Sequence, residues 1–208
     1  MRILYIDTSS SYLYSGIVTD KKLVCEVKKE FGHSLSEEAL PSIVSLFEKE
    51  NLTAKDIDKI IVVNGPGSFT GIRIGITIEK VFAWSLNIPI TTISALEAMS
   101  LSCNTDKVHV PIIDARRNYV FGAIYSRNNS TMLSPIHIKL EDLFVELPSD
   151  EEYVFISNDN FEKLNNIERY NPDIEKIVNY FENKETINPH AVNPEYLKLT
   201  EAEESKLN

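Results

Sequence analysis

The residues best suited to chemistry in this chain form one glycine-rich loop, Gly65-Pro66-Gly67-Ser68-Phe69-Thr70-Gly71, with a helical pattern behind it. Glycines free to adopt φ > 0, ahead of helix-start amides that lack intrahelical partners, are the ingredients of an anion site. The loop nevertheless fails the Walker pattern, because no G-K-[ST] follows at the required distance and no lysine is near. It also fails the dinucleotide fingerprint, since its spacing is G-x-G-x-x-x-G and the third glycine arrives one residue late. Two readings stay open: a phosphate cradle, or a turn that merely starts a helix.

Other reactive side chains give little. His33, His109, His137 and His190 show no i, i+4 spacing and no carboxylate arrangement suited to a metal, so no metal site is expected. Cys25 and Cys103 stand far apart without a C-x-x-C partner, which excludes a disulfide framework and a zinc ribbon. Arg116 and Arg117 read as phosphate or tRNA contacts, or as an ion pair on a solvated turn.

At 208 residues, 43% hydrophobic and 25% charged, the chain can bury a sizeable core. Its apolar runs, such as Ile60-Ile61-Val62-Val63, fall far short of the roughly 20 residues that span a bilayer. From Met1 the sequence enters a strand-like run within two residues, which leaves no room for a secretion signal and makes the cytoplasm the expected location. The net charge of −10 is uneven, with 10 basic and 12 acidic residues in 1–104 against 11 and 19 in 105–208. An acidic chain without a basic stripe is a poor nucleic-acid binder by itself, so any tRNA is expected to be held only through a complex.

The elements that must position the loop read as strands at 3–6, 12–18 and 23–27, a capped helix from Ser36 to Glu50, a strand at 59–63 and a helix from Thr70 to Leu86. Ser34 and Glu37 have capping-box spacing, and Pro41 is expected to kink the first helix. Residues 108–124 echo the start of the chain at a spacing of 107: Ile6-Asp7 meets Ile113-Asp114, Tyr12 meets Tyr119, Tyr14 meets Phe121 and Ile17 meets Ile124. Either amphipathic strands resemble each other by chance, or a β-β-β-α unit is duplicated.

Duplication resembles the actin-like (ASKHA, ribonuclease H-like) α/β folds of sugar kinases and heat-shock ATPases. That resemblance implies two lobes, 1–105 and a smaller, reduced 106–208, with the aspartate turns facing a nucleotide cleft. Asp7, Thr8, Ser9, Gly65, Gly67, Ser68 and Asp114 are then the candidates for residual nucleotide or phosphate contact.

The helix at 70–86 is unusual. At 100° per residue Arg73, Thr77, Lys80 and Trp84 share one narrow face, while Ile72, Ile74, Ile76, Ile78, Val81, Phe82 and Leu86 occupy most of the remainder. Such a helix needs two neighbours, its own sheet and either the first helix or a helix of another protein. Its apolar face also makes a homodimer an expectation for the chain alone.

Three stretches, Ile6-Asp7-Thr8-Ser9, the run from Gly65 through Ile72-Arg73-Ile74-Gly75, and Asp114-Ala115-Arg116-Arg117, together resemble the TsaB (YeaZ) family of tRNA threonylcarbamoyladenosine biosynthesis proteins, as does Pro194-Glu195-Tyr196-Leu197-Lys198. The resemblance implies a non-catalytic subunit that binds and activates the catalytic paralogue TsaD, together with the ATPase TsaE, in threonylcarbamoylation of the tRNA adenosine beside the anticodon. Contact would be a helical bundle from the first two helices of each partner. Here that names Ser36, Leu40, Ile43, Val44, Phe47, Ile72, Arg73, Ile76, Thr77, Lys80 and Phe82 as partner-binding residues. Ala95 and Met99 stand where the paralogue carries a metal-binding histidine pair, and Tyr119 and Phe121 stand where the family has Glu and Tyr. No cofactor is implied. An actin-like small-molecule kinase or ATPase is the alternative.

Overall fold

The computed structural model describes residues 1–162, 164 and 167–198. The first sheet comprises β1 (Arg2–Asp7), β2 (Tyr12–Thr19), β3 (Lys22–Glu30), β4 (Lys59–Gly65) and β5 (Ile90–Ser94), in the order β3-β2-β1-β4-β5. Between them run α1 (Leu35–Lys49) and α2 (Phe69–Leu86), and α3 (Ala95–Ser102) follows. The second sheet comprises β6 (Val108–Asp114), β7 (Tyr119–Tyr125), β8 (Thr131–Lys139), β9 (Tyr153–Ile156) and β10 (Ile167–Glu168), in the order β10-β9-β6-β7-β8. Short α4 (Leu140–Val145) and α5 (Ile174–Phe181) complete the elements.

Numbered within each lobe, both sheets have the order 3-2-1-4-5, with strand 2 antiparallel to its neighbours and strands 1, 4 and 5 parallel. This is the duplicated actin-like fold, and the echo at 107 residues is its trace. The pairing itself differs by one residue. Asp7 faces Tyr14, whereas Asp114 faces Val120 rather than Phe121. The second copy is reduced at its end, where β10 has two residues.

Burial on both faces explains why β1 and β4 are almost wholly apolar. Leu4, Ile6, Ile60 and Val62 point to the layer of α1 and α2, and Ile3, Tyr5, Ile61 and Val63 to the layer of α3 and α5. Helix α3 lies between the sheets, giving Ala95, Ala98 and Leu101 to the first and Leu96 and Met99 to the second. Residues 174–196 pack on the first sheet, although they come late in the half read from sequence as the smaller lobe. Ile174, Ile177, Val178 and Phe181 join its core. A strap then crosses it, with Ile187 N–H donating to Ile90 C=O at 2.8 Å, Val192 buried, and Glu195 N–H donating to Asn64 C=O at 2.8 Å.

One local expectation at α1 gives way. Ser34 makes no side-chain cap because its backbone (φ −84°, ψ 1°) already belongs to a tight turn over Gly32–Ser34, which displaces the capping box. Pro41 lies inside α1, which runs to Lys49.

Candidate functional site

The glycine loop joins β4 to α2 and is pressed against the β1–β2 turn, Thr8 to Ser11. A Cβ on Gly67 would collide with the Ser9 carbonyl, and one on Gly71 with the Thr8 carbonyl. Gly67 and Gly65 also hold φ of 153° and 127°. Two of the loop's amides are committed to the protein. Ser68 N–H donates to Ser9 C=O at 2.7 Å, and Gly71 N–H to the Ser68 side chain at 3.2 Å. Thr8 Oγ1 in turn donates to Gly71 C=O at 2.7 Å. The glycines permit close backbone packing here, and the loop serves as the turn that starts α2.

Between the lobes lies a cleft of about 1100 Å³. Ser9, Gly67, Ser68 and Asp114 line it, together with Arg116 and Asp159. Asp7, Thr8 and Gly65 do not. Asp7 is 2% exposed, its carboxylate accepts both the Ser9 N–H (2.8 Å) and the Ser9 hydroxyl (2.7 Å), and burial outweighs these bonds to raise its pKa. Thr8 is fully buried, and Gly65 lies under the Glu195 carbonyl. The seven residues assigned to nucleotide contact therefore divide, and the carboxylate best placed to orient magnesium faces inward. Asp114 is exposed and accepts the Arg116 N–H at 2.8 Å, the same turn that Asp7 makes with Ser9. Its own N–H donates to Asp159, whose carboxyl burial pushes up. Ala95 and Met99 line the same cleft and offer no imidazole.

The partner-binding candidates divide as well. Ile43, Phe47, Ile72 and Ile76 are 6% exposed or less and belong to the core between α1, α2 and the first sheet. Phe82 is half-buried and stacks on Phe47 with ring centroids 6.0 Å apart, and Lys80 is half-buried. These side chains are occupied because α1 is the second neighbour that the two-sided helix requires. Ser36, Leu40, Val44, Arg73 and Thr77 are exposed. Beside them sequence reasoning missed Val81 (60% exposed), Trp84 (70%) and Phe69 (48%), and it missed Tyr196 of the strap. Val81 and Trp84 were legible as large apolar residues, but the wheel alone assigned Val81 to the buried side.

Glu79 lies on the inner stripe of α2, fully buried, with neither carboxyl oxygen hydrogen-bonded among the described residues. Burial pushes its pKa up to about 8, against a smaller opposing effect of Lys80.

A Bacillus subtilis protein named tRNA threonylcarbamoyladenosine biosynthesis protein TsaB is 31% identical to the chain, across 98% of this chain and 96% of that protein. The chain belongs to the TsaB (YeaZ) family. A model of the family described as TsaD, tRNA N6-adenosine threonylcarbamoyltransferase, matches residues 29–172, which places this TsaB-family chain within the wider TsaD relationship. Two solved Pseudomonas aeruginosa structures share the fold at 18% identity: one described as similar to peptidase YEAZ (TM-score 0.80, covering 95% of this chain and 99% of that one) and YeaZ itself (TM-score 0.77, 94% and 99%).

Proposed function

We propose that this TsaB-family chain takes part in tRNA threonylcarbamoyladenosine biosynthesis as a non-catalytic subunit that binds and activates TsaD, with TsaE and tRNA engaged only through the complex. One observation carries the reading: the adjacent helices α1 and α2 turn a row of apolar side chains outward, Leu40 and Val44 on one and Val81 and Trp84 on the other. Four such side chains on neighbouring helices are a partner-binding feature rather than scattered surface residues.

Catalysis is assigned to the partner because, among the described residues, the positions expected to serve it are occupied or replaced. Asp7 is turned inward, the Ser68 amide is bonded to Ser9, and Ala95 and Met99 stand in place of metal-binding histidines. Those residues fit neither a nucleotide phosphate with its metal nor a metal ion alone, so no cofactor is proposed for this chain. A kinase or ATPase would need the opposite arrangement.

Co-expression with TsaD tests this. The chain is expected to co-purify with TsaD and to turn over no ATP alone, and ATP turnover by the isolated chain without co-purification would overturn the proposal.

A further inference from the structure

We propose that Arg73, packed on the Phe69 ring and bonded to the Tyr196 hydroxyl, is the receptor for a carboxylate side chain of the protein that covers the α1–α2 face; this rests on the partner reading above. The Arg73 guanidinium carbon lies 3.7 Å from the Phe69 ring centroid and 5.8 Å from that of Tyr196. The two rings stack on each other at 5.1 Å and 24°. Arg73 Nε–H donates to the Tyr196 hydroxyl at 2.8 Å. One donor and one face of the guanidinium are therefore fixed by the chain itself.

The other edge is open among the described residues. Arg73 is exposed, and the described residues give Nη1 and Nη2 no hydrogen-bond or ion-pair partner. A planar guanidinium with four N–H groups unpaired among the described residues matches a carboxylate in the two-bonded fork that lysine cannot make. Holding the side chain beforehand removes much of the entropy loss that makes free surface ion pairs weak.

The setting selects a protein carboxylate rather than an RNA phosphate. Arg73 and Lys80 are the only basic residues of α2, in a chain of net charge −10, whereas RNA binding draws on several phosphate contacts at once. An aromatic ring covers one face of the guanidinium, and Val81 and Trp84 are exposed farther along the same helix. Arginine among aromatic residues is the composition of a protein interface centre.

Tyr196 reaches this position because the strap is pinned by Glu195 N–H to Asn64 C=O and by buried Val192. It acts as a positioning residue for Arg73, and through it the end of the strap becomes part of the partner face.

The test measures the dissociation constant of the full chain with TsaD for Arg73→Glu, Arg73→Lys, Tyr196→Phe and, as a control, Val44→Glu, each checked for native circular dichroism. Arg73→Glu should weaken binding by roughly tenfold or more, Arg73→Lys by about fivefold, and Tyr196→Phe by about threefold. Changing the acidic residues of TsaD singly to lysine should identify one that restores binding to Arg73→Glu. Native affinity for Arg73→Glu with loss for Val44→Glu overturns the carboxylate site and leaves the partner face standing. Native affinity for both removes the partner face as well. Weakened binding by Arg73→Glu that no TsaD substitution restores also overturns the proposal, reducing Arg73 to a structural role.

Discussion

The two lobes begin with the same turn, yet they use it differently. In the first, Asp7 accepts the N–H two residues on and is buried near Tyr5, Tyr14 and Tyr170; in the second, Asp114 makes the same bond to Arg116 and stays exposed. The lobes also differ just beyond strand 4. After β4, Gly67, Gly71 and Gly75 let the loop and α2 pack closely onto Thr8 and Ser9. After β9, Asp159 receives the Asp114 N–H, and no helix stands in α2's place among the described residues. Arg116, Arg117 and Asn118 there hold φ of 55° to 66° without a glycine among them. One junction has become a rigid joint that presents a helix, and the other has remained an open turn at a cleft.

The largest expected effect comes from breaking the joint. Gly71→Val places side-chain atoms against the Thr8 carbonyl, a backbone atom that cannot rotate away, and should destabilise by about 4 kcal/mol or more. Soluble yield and thermal melting check it, and a variant melting like the native chain would show that the joint is loose. Ile76→Glu, on the inner side of α2, should unfold the first lobe by a similar amount, since Ile76 is 5% exposed. A folded Ile76→Glu that lost only partner binding would return Ile76 to the interface.

Glu79 tests the same inner face through pH. Its folded pKa of about 8 exceeds the ordinary value of 4.5, so between those values the folded state binds more protons than the unfolded state. Stability from this group is present below about pH 4.5, falls as the pH rises to about 8, and is level above. Glu79→Gln removes that slope and should stabilise the chain at pH 8 by roughly 2 to 4 kcal/mol, with little change at pH 4.5. Denaturant midpoints at the two pH values measure it; an equal shift at both would show that Glu79 is solvated. At the second junction Arg116→Gly should raise stability by only about 0.5 kcal/mol, because glycine adopts φ of 66° without strain. A large loss there would make the open turn as constrained as the closed one.

Much of the fold was legible in the sequence. Strand ends at Asp7 and Asp114, the echo at 107 residues and the helix behind the glycine loop come from period and local residue type, which neighbours do not alter. The meaning of the glycines was not legible, because φ > 0 and close approach serve a phosphate or a carbonyl equally well, and only the position of Thr8 and Ser9 decides. The wheel of α2 required two neighbours but could not name them. With α1 as the second, Ile43, Phe47, Ile72 and Ile76 are buried and the outer row shifts to Val81 and Trp84. The strap was also hidden, since nothing local in residues 187–196 says that they return to β5 and α2.

The most direct measurement is the dissociation constant between TsaD and the doubly substituted chain Val81→Glu, Trp84→Ala, whose changes lie wholly on the outer side of α2. The expected result is a native melting temperature with binding weakened by roughly a hundredfold. A folded variant that binds TsaD as tightly as the native chain would contradict the assignment of this face to the partner.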